Sequence, residues 1–529
     1  VEAQEALAAT DGVTVLIHDQ ECAAELRRDR KRGRTATPPT RVAINHRVCE
    51  GCGDCARISN CLSVHPIDTD FGRKTRIDQT TCNLDLSCLE GDCPAFVSVT
   101  SRPDRWWRRR RRRAAHAPLR LPKGLPDPPA PADIDVSVHI TGVGGTGVVT
   151  VAQVIGTAAM LGGAEVSGLD QIGLSQKAGP VVSDLRITRG PRAESSRVGQ
   201  GQADLLLAFD LLVAASWTGR AAARVDRTGV VGSLTVTPPG AKVADPALPM
   251  PTQDELVDRV HAVTRPEARH WADADAITTA HLGDSVSANL FVLGMALQAG
   301  LLPVDHRHVE RAHELNGVAV ERNLAALTWG RWWVADRTEV EAAVADRTPE
   351  PPPPPRVPAA FDAEITELAM GDTEVEAVLT LLTADLIEYQ NRRLARRYLA
   401  FVAEVEEHER AVAPSSRALT LATAIGYHKL LAYKDEYEVA RLLLDDDANR
   451  DIRALAGPGD RVAWRLHPPT LRALGRSSKI ALSTRWRPAI RLLAGGRRLR
   501  GHWFDPFGWA RLRRIERKLP DEYCVAVRT

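Results

Sequence analysis

Hydrophobic and polar positions change their spacing several times along the chain, and each spacing predicts a different kind of element. In the middle of the chain, short apolar runs alternate with stretches in which apolar residues recur every three or four positions. These patterns predict strands at 136–140, 203–209 and 229–232, and helices at 147–160, 285–298 and 308–327. Strands that alternate with helices are typical of an open α/β sheet.

The last third of the chain has a mostly helical spacing. Apolar residues lie three and four positions apart at 379–407 and 417–444, so the region 359–529 is predicted to be mainly helical. Near the other end, the segment 12–17 (GVTVLI) is short and rich in β-branched residues. This composition favours a strand, although no partner strand precedes it.

Two proline-rich segments, 117–133 and 349–358, predict linkers between these parts. Ahead of the first lie Trp106, Trp107 and six consecutive arginines at 108–113. The arginine run favours a solvated linker, and a nucleic-acid-binding arm is the alternative. Because no nucleic-acid-binding motif lies nearby and the net charge is only +2, we do not expect a nucleic-acid partner.

The chain has no apolar stretch of 18 residues, so neither a transmembrane helix nor a membrane partner is predicted. It starts at Val1 and lacks the basic, apolar and small-residue pattern of a signal peptide. These features predict a cytoplasmic location. We also expect the chain to be a fragment whose beginning lies upstream.

Seven of the nine cysteines are concentrated in one short segment: Cys49, Cys52, Cys55, Cys61, Cys82, Cys88 and Cys93. A dense cluster in a long chain without a signal peptide indicates metal binding and not a disulfide framework. The first three cysteines are evenly spaced, and the last is followed by proline, as in ferredoxin-type iron–sulfur domains. Paired Cys-x2-Cys knuckles would favour zinc, which is the alternative.

The second half of this segment repeats the spacing of the first, with Asp85 in place of the middle cysteine. We predict one 4Fe–4S cluster, held by Cys49, Cys52, Cys55 and Cys93. We predict a second, held by Cys61, Cys82, Cys88 and Asp85. A carboxylate is a harder and weaker ligand for that iron than a thiolate, so the second cluster should convert to 3Fe–4S on oxidation. Alternatively, Asp85 is a turn residue and the second site holds a permanent three-iron cluster or none.

A glycine loop lies between a predicted strand and a predicted helix, and it consists of Gly142, Gly144, Gly145, Thr146 and Gly147. Its three spaced glycines match the G-x-G-x-x-G pattern, in which amide groups at a helix N-terminus contact an anion. Glu165 lies at the spacing expected for a ribose contact. The motif fits a nicotinamide or flavin nucleotide, another phosphate-bearing ligand, or a structural turn.

Longer segments resemble the long, fused form of indolepyruvate ferredoxin oxidoreductase over nearly the whole chain. They are 48–55 (VCEGCGDC), 59–63 (SNCLS), 71–79 (FGRKTRIDQ), 168–177 (GLDQIGLSQK), 181–186 (VVSDLR), 314–320 (ELNGVAV), 431–441 (LAYKDEYEVAR), 504–508 (FDPFG) and 14–28, the last being similar to the end of a thiamine-diphosphate domain. Ala178, Asp184 and the arginine run depart from the family's pattern, and His is expected where Asp184 stands.

The resemblance implies a multidomain protein of the α/β and α+β classes. It divides the chain into the tail of a thiamine-diphosphate domain with a linker (1–40), a ferredoxin-like 4Fe–4S domain (41–101), an Arg/Pro-rich linker (102–133), an open α/β gamma domain (134–345), a Pro-rich linker (346–358) and a helical C-terminal domain (359–529). We assign no chemistry to the last domain. There, His428 is expected to be a surface or satisfied helix position and not a ligand, and Tyr433, Tyr437 and the charges between them to form a helix face that packs on the other domains.

The resemblance also implies oxidative decarboxylation of a 2-oxoacid such as indolepyruvate, with coenzyme A taking the acyl group and ferredoxin accepting the electrons. Gln171, Gln176 and Lys177, with the glycine loop, would bind coenzyme A or the substrate carboxylate. The alternative for these three residues is hydrogen bonding within the loop.

Thiamine diphosphate and Mg would be bound by a missing portion, because the chain lacks their usual signature. We therefore expect this chain to be inactive alone, and to assemble as a homo-oligomer. The competing hypothesis is an iron–sulfur electron-transfer module whose α/β domain binds NAD or a flavin.

Overall fold

Four short strands organise the cysteine-rich part of the chain in the computed structural model: β1 (Thr40–Ile44), β2 (Val64–Ile67), β3 (Lys74–Ile77) and β4 (Phe96–Thr100). β1 pairs antiparallel with β4, and β2 pairs antiparallel with β3. The first cysteine loop leads into the short helix Asp54–Ser59, and the second lies between β3 and β4. Apolar side chains of β1 and β4 pack with the cysteines in one core.

The structure describes residues 2–17, 19, 21–101, 123–130, 135–172, 179–190, 195–347, 354–446, 448–457, 459–467 and 478–529. Several residues singled out from the sequence lie outside the described residues: Trp106, Trp107, the arginines at 108–113, Gln176, Lys177 and Ala178.

Six strands form the sheet of the α/β domain: β5 (Val136–Val143), β6 (Glu165–Ile172), β7 (Pro180–Thr188), β8 (Leu205–Ala208), β9 (Gly229–Ser233) and β10 (Arg269–Ala272). Their spatial order is β10-β9-β8-β5-β7-β6. The first four in this order are parallel, whereas β7 and β6 form an antiparallel hairpin on the other side of β5. The predicted alternation of strands and helices is confirmed.

The helices of this domain are Val148–Leu161, Leu211–Ala214, Trp217–Ala221, Gly240–Ala244, Gln253–His261, Ala274–Leu282, Ala288–Gln298, His306–Asn316, Val320–Ala335 and Arg337–Ala345. The helix Ala288–Gln298 is buried along almost its whole length and crosses Val320–Ala335 at very close range. A Cβ atom at Gly330 would lie 1.8 Å from the carbonyl oxygen of Phe291, so only glycine permits this approach.

One predicted helix and two stretches of helical spacing are each divided in two, at residues that end or cap helices. The predicted helix 308–327 breaks at Gly317, which has a φ of 69°. The pattern at 379–407 breaks at Asn391, and the pattern at 417–444 breaks before Asp435, and the side chain of each caps the helix that follows it. The prediction of a single helix at 308–327 was wrong, and the mainly helical character predicted for 359–529 is confirmed. In all three stretches the apolar spacing continues across the break.

The C-terminal region contains the helices Ala359–Ala369, Thr373–Tyr389, Arg392–Val412, Ala418–Leu431, Glu436–Leu444, Arg450–Leu455, Arg487–Gly495, Arg511–Glu516 and Leu519–Arg528. It also contains two strands, β11 (Arg461–Leu466) and β12 (Ile480–Ser483), that the sequence did not predict. β11 pairs antiparallel with β4, so the C-terminal region extends the sheet of the cysteine-rich domain to the order β1-β4-β11-β12.

The N-terminal part contains the helices Glu2–Ala8 and Ala23–Lys31. The strand predicted at 12–17 is wrong, because the described residues 13–17 have no regular structure. Their apolar side chains are exposed, Val13 by 99% and Ile17 by 84%, and they pair with no strand among the described residues. None of the described helices combines the length and apolar character needed to cross a membrane.

Candidate metal centre

The two cysteine loops have the same backbone conformation where each begins. The amide of Gly51 donates a hydrogen bond to the Sγ atom of Cys49 at 3.3 Å. In the second loop, the amide of Leu84 donates to the Sγ atom of Cys82 at 3.4 Å. In each case the donor lies two residues after the cysteine, so the first cysteine of each loop accepts the same local hydrogen bond.

The equivalence continues through the rest of both loops. Gly51 and Gly53 have left-handed φ angles of 64° and 81°, and the residues at the matching positions, Leu84 and Leu86, have φ angles of 59° and 64°. Leucine rarely adopts this conformation, so its occurrence twice at matching positions indicates a constrained loop. Asp85 therefore occupies the loop position that Cys52 occupies in the first loop.

Four cysteines group around the first loop. Burial raises the pKa of the Cys55 thiol to about 12, and the nearby thiols of Cys49, Cys93 and Cys52 add to the shift. Burial also raises the pKa of Cys93 to about 11, with contributions from Cys49 and Cys52. These four residues are the predicted ligands of the first cluster, and the fold brings them within electrostatic range of one another.

A second group forms around Cys88. Burial raises the pKa of this thiol to about 12, and Cys82, Cys61, Cys55 and Asp85 add to the shift. Three of these neighbours are the predicted partners of Cys88 in the second cluster. The fourth, Cys55, belongs to the first group, so the two groups are adjacent.

The donor set fits iron–sulfur clusters, because soft thiolates are the ligands that such clusters require. In the part of the chain that the structure describes, no three His, Cys, Asp or Glu side chains converge on one point as ligands of a single ion. The thiolates of a cubane cluster each bind a different iron, so they surround the cluster. All described cysteines are free thiols.

Asp85 is exposed, as is Cys52 at the matching position. Its Oδ1 atom accepts hydrogen bonds from the amide of Ser87 at 3.2 Å and from the Ser87 hydroxyl at 3.0 Å. These bonds are those of an Asp-centred turn, which is the alternative role considered for Asp85.

Lys434 of the C-terminal region contacts the first cysteine loop. Its Nζ atom donates to the carbonyl oxygen of Cys49 at 2.9 Å, to that of Val48 at 3.3 Å, and pairs with Glu50 at 2.8 Å. Sequence reasoning did not single out this residue, although it lies inside the motif 431–441. The predicted packing on another domain holds for Lys434, which lies between two helices and not on a helix face. It is wrong for Tyr433 and Tyr437, whose hydrogen bonds and ring contacts are to the C-terminal region itself.

Asp385 joins the C-terminal helices to the cysteine-rich domain. Its Oδ1 atom lies 2.6 Å from Arg47 and 2.7 Å from Arg441, and its Oδ2 atom lies 3.1 Å from His428. Burial opposes ionisation of this carboxyl, but His428, Arg47 and Arg441 more than offset it and hold the pKa of Asp385 well below its usual value. His428 is therefore a satisfied, buried helix position, as predicted.

The glycine loop follows β5 and precedes the helix Val148–Leu161, as predicted. Gly142 is needed for packing, since a Cβ atom there would lie 2.7 Å from Val148. The amide of Gly144 donates to the Gly179 carbonyl oxygen at 2.7 Å. Gly145 and Gly147 have φ angles of 85° and 97°. The tip of the loop, with Gly145 and Thr146, is exposed at the N-terminus of the helix and suits an anion.

Glu165 is not a ribose ligand, and the prediction of that role is wrong. It begins β6, an edge strand separated from β5 by β7, and it lies at the end of the sheet opposite the glycine loop. Gln171, in contrast, ends β6 on the same side as the glycine loop, in register with Val182 and, through it, with Thr141. Glu165 is thus far from the glycine loop, whereas Gln171 lies at the same end of the sheet as the loop.

The carboxyl ends of the parallel strands face the cysteine-rich domain. Burial raises the pKa of Asp275, after β10, to about 7, and Asp273 and Asp78 add to the shift. Asp78 lies four residues before Cys82, so this edge of the sheet approaches the second cysteine loop. A Cβ atom at Gly53 would contact Pro246 at 3.0 Å, which places the α/β domain against the first loop as well.

Asp184, which replaces the expected His, has a partner on the neighbouring strand. His139 and Asp184 are in register on β5 and β7, both are buried, and His139 Nδ1 lies 2.7 Å from Asp184 Oδ1. The other carboxylate oxygen accepts the amide of Val198 at 3.0 Å. Asp184, which stands in place of the expected His, therefore forms a buried cross-strand pair with His139.

Comparisons with known proteins agree with this architecture. Residues 137–332 match the family described as pyruvate ferredoxin/flavodoxin oxidoreductase, and residues 375–529 match a family of unknown function (DUF6537). The match to the pyruvate ferredoxin/flavodoxin oxidoreductase family therefore lies within the α/β domain.

Among curated proteins, the chain is similar to two archaeal proteins named indolepyruvate oxidoreductase subunit IorB. That of Methanothermobacter thermautotrophicus is 27% identical over 173 residues, which are 32% of this chain and 83% of that protein. That of Pyrococcus horikoshii is 25% identical over 198 residues, which are 37% of this chain and 94% of that protein.

Similar solved structures include pyruvate oxidoreductase subunit PORC of Thermotoga maritima, with 15% identity and a TM-score of 0.28 over 37% of this chain and 95% of that chain. A keto/oxoacid ferredoxin oxidoreductase gamma subunit of Geobacter sulfurreducens has 18% identity and a TM-score of 0.26 over 38% and 98% of the two chains. At these scores the superpositions locate no residue of the site.

Proposed function

We propose that this chain is the iron–sulfur and gamma part of a thiamine-diphosphate-dependent 2-oxoacid:ferredoxin oxidoreductase acting on an aryl-2-oxoacid such as indolepyruvate. In the overall reaction, the 2-oxoacid, coenzyme A and two oxidised ferredoxins give acyl-coenzyme A, carbon dioxide, two reduced ferredoxins and a proton. When bound, the clusters of this chain accept and release the electrons one at a time.

One observation carries the proposal: two equivalent cysteine loops lie side by side on a chain whose α/β domain matches the pyruvate ferredoxin/flavodoxin oxidoreductase family. Adjacent loops that each hold a cluster would give single electrons a short path toward ferredoxin. The reaction needs such a path because a 2-oxoacid releases two electrons, whereas ferredoxin accepts one.

In this proposal, the glycine loop and Gln171 bind a phosphate-bearing co-substrate, coenzyme A, at the carboxyl edge of the sheet. Ligands of open α/β sheets bind at this edge, where the strand order reverses, and here the reversal occurs at β5. The same edge approaches Asp78 and the first cysteine loop. Gln176 and Lys177, which lie outside the described residues, remain predicted to bind coenzyme A or the substrate carboxylate. Glu165 favoured a dinucleotide in the sequence, but it lies at the opposite end of the sheet from the glycine loop and therefore no longer supports that ligand.

The overall proposal is tested by turnover with and without a thiamine-diphosphate-binding portion. The chain is purified anaerobically, its iron and sulfide are counted, and reduction of a viologen dye is followed with indolepyruvate, coenzyme A, thiamine diphosphate and Mg²⁺. We expect clusters but no turnover with the chain alone, and turnover when the missing portion is supplied. Turnover by the chain alone would contradict the proposal that thiamine diphosphate is bound by another portion. Absence of iron would contradict the proposed function.

The binding of coenzyme A is tested at the tip of the glycine loop. Thr146→Glu places a negative charge at the N-terminus of the helix Val148–Leu161, where an anion would lie, and should weaken coenzyme A binding at least tenfold in calorimetric titration. Met160→Glu is the matched control, because Met160 is 66% exposed in the last turn of the same helix. Equal affinities for the two variants would exclude the loop as the binding site.

We also propose that Asp85 is the fourth ligand of the second cluster. Its support is the matching backbone of the two loops, which gives Asp85 the position and exposure of Cys52. The Oδ1 atom is engaged by Ser87, so binding iron requires either Oδ2 or a rotation of the side chain.

Electron paramagnetic resonance with iron counting tests this ligand. Mild oxidation of the wild-type chain should give a three-iron signal that ferrous iron reverses, because a carboxylate binds the iron more weakly than a thiolate. Asp85→Cys should resist the conversion. Ser87→Ala, which removes one hydrogen bond to Asp85 but no ligand, should behave as wild type. If wild type and Asp85→Cys respond alike, Asp85 is not a ligand.

A further inference from the structure

Lys479 of the C-terminal region lies next to the cysteine-rich domain because of the pairing of two strands. It immediately precedes β12, which pairs with β11, and β11 pairs with β4. β4 starts at Phe96, three residues after Cys93. The Nζ atom of Lys479 lies 4.4 Å from the centroid of the Phe96 ring, so the ammonium group is held over that ring.

The ammonium group of Lys479 is buried, and among the described residues it has no hydrogen-bond partner. Other buried or half-buried cations of the C-terminal region are paired: Lys434 with Glu50, and Arg500 with Asp435. A buried cation without a partner is strongly unfavourable unless nearby negative charge compensates it. The contact with Phe96 supplies only part of that compensation.

Burial lowers the pKa of Lys479, and nearby cysteines oppose part of that shift. Its electrostatic partners are Cys93, Cys88, Asp92 and Cys55. Cys93 and Cys55 belong to the first group of ligands, whereas Cys88 belongs to the second. Asp92 is exposed and is already bonded to His467 at 2.7 Å. Lys479 therefore lies within electrostatic range of cysteines of both predicted clusters.

We propose that Lys479 is an electrostatic tuning residue, contributed by the C-terminal region, that raises the reduction potentials of both clusters. The inference rests on the proposed function, since it requires that clusters occupy the two cysteine groups. Reduction adds one negative charge to a cluster, and a fixed positive charge nearby stabilises the reduced state. A charge on the order of 10 Å away, at an effective dielectric constant of about 20, changes such an equilibrium roughly tenfold.

The test is a redox titration of the anaerobic, full-length chain followed by electron paramagnetic resonance. Lys479→Met should lower both potentials, and a tenfold change in the equilibrium constant corresponds to about 59 mV for one electron. Lys479→Gln serves as a second neutral variant, and Lys479→Arg should keep the wild-type potentials. Lys429→Met is the control, because it removes the same charge from an exposed position.

Each variant is first checked for the iron and sulfide content of the wild type. Unchanged potentials in both neutral variants at full iron content would overturn this inference and leave the proposed function standing. A wild-type chain that binds no iron would overturn both. A shift of the same size in Lys429→Met would also refute the inference, since the effect would then depend on net charge and not on position.

Discussion

Replacing Asp385 with asparagine should loosen the cysteine-rich domain from the C-terminal helices. Asp385 is 8% exposed, and its side chain bonds Arg47 and Arg441, whose side chains are only 18% and 14% exposed. Removing one partner of a buried ion pair typically costs about 3–5 kcal/mol, because the other charge stays buried without compensation. Asparagine still accepts one hydrogen bond, so we expect about 3 kcal/mol.

The effect should depend on pH in a defined direction. The pKa of Asp385 is lower in the folded chain than the value of about 3.9 in an unfolded chain. Its stabilising contribution is therefore fully present above about pH 5, and it is lost as the pH falls below about 4 toward the folded pKa. The difference between wild type and Asp385→Asn should shrink below pH 4.

The assay is urea denaturation of the iron-loaded chain, followed by both far-ultraviolet circular dichroism and cluster absorbance. Arg47 lies two residues before Cys49, so cluster absorbance should disappear at a lower urea concentration in Asp385→Asn than in wild type. The control is Asp521→Asn, which breaks an exposed ion pair with Arg397 and should change little. Equal midpoints for wild type and Asp385→Asn would refute the reasoning.

Two further substitutions test contacts seen in the structure. Lys434→Met removes the cation that donates to the carbonyl of Cys49 at 2.9 Å, so iron release to a chelator should be about tenfold faster, whereas the exposed Lys429→Met should release iron like wild type. Gly330→Ala forces two buried helices apart and should lower the melting temperature by several degrees, since overpacking costs about 1–3 kcal/mol. Gly190→Ala, where a Cβ atom meets no other atom within 4 Å, should melt as wild type.

Local chemistry was predictable from the sequence wherever spacing alone determines it. Counting residues identified Asp85 as the counterpart of Cys52, and the loops share one conformation because each must present its side chains around a small volume. The left-handed conformations of Leu84 and Leu86 were not predictable, because leucine disfavours them. Tertiary constraint, and not the preference of these residues, sets the backbone there.

The helix boundaries were predictable in principle, and the signals were present. Gly317, Asn391 and Asp435 are residue types that end or cap helices. Apolar spacing obscured them, since two helices packed on the same core can continue one period. A boundary is better placed from such a residue than from the end of the periodic pattern.

The pairing of β11 with β4 could not have been read from the sequence. The two strands are separated by more than 350 residues, and β11 is a six-residue segment without a turn signal that would join it to β4. Pairing at such separation depends on how the intervening helices pack, which local preferences do not determine. The same reason explains why Lys434 and Lys479 were not singled out.

These contacts change the meaning of the C-terminal match to a family of unknown function. If that region were an independent module, the edge of β4 would be free and the two cysteine loops would make no contact with it. Instead, β11 covers that edge, Lys434 bonds the backbone at Cys49, and Arg47 shares Asp385 with the C-terminal helices. An exposed sheet edge is a site of unwanted strand pairing, and an unpaired Arg47 would be unfavourable. In this chain, therefore, the C-terminal region is a structural part of the cysteine-rich domain.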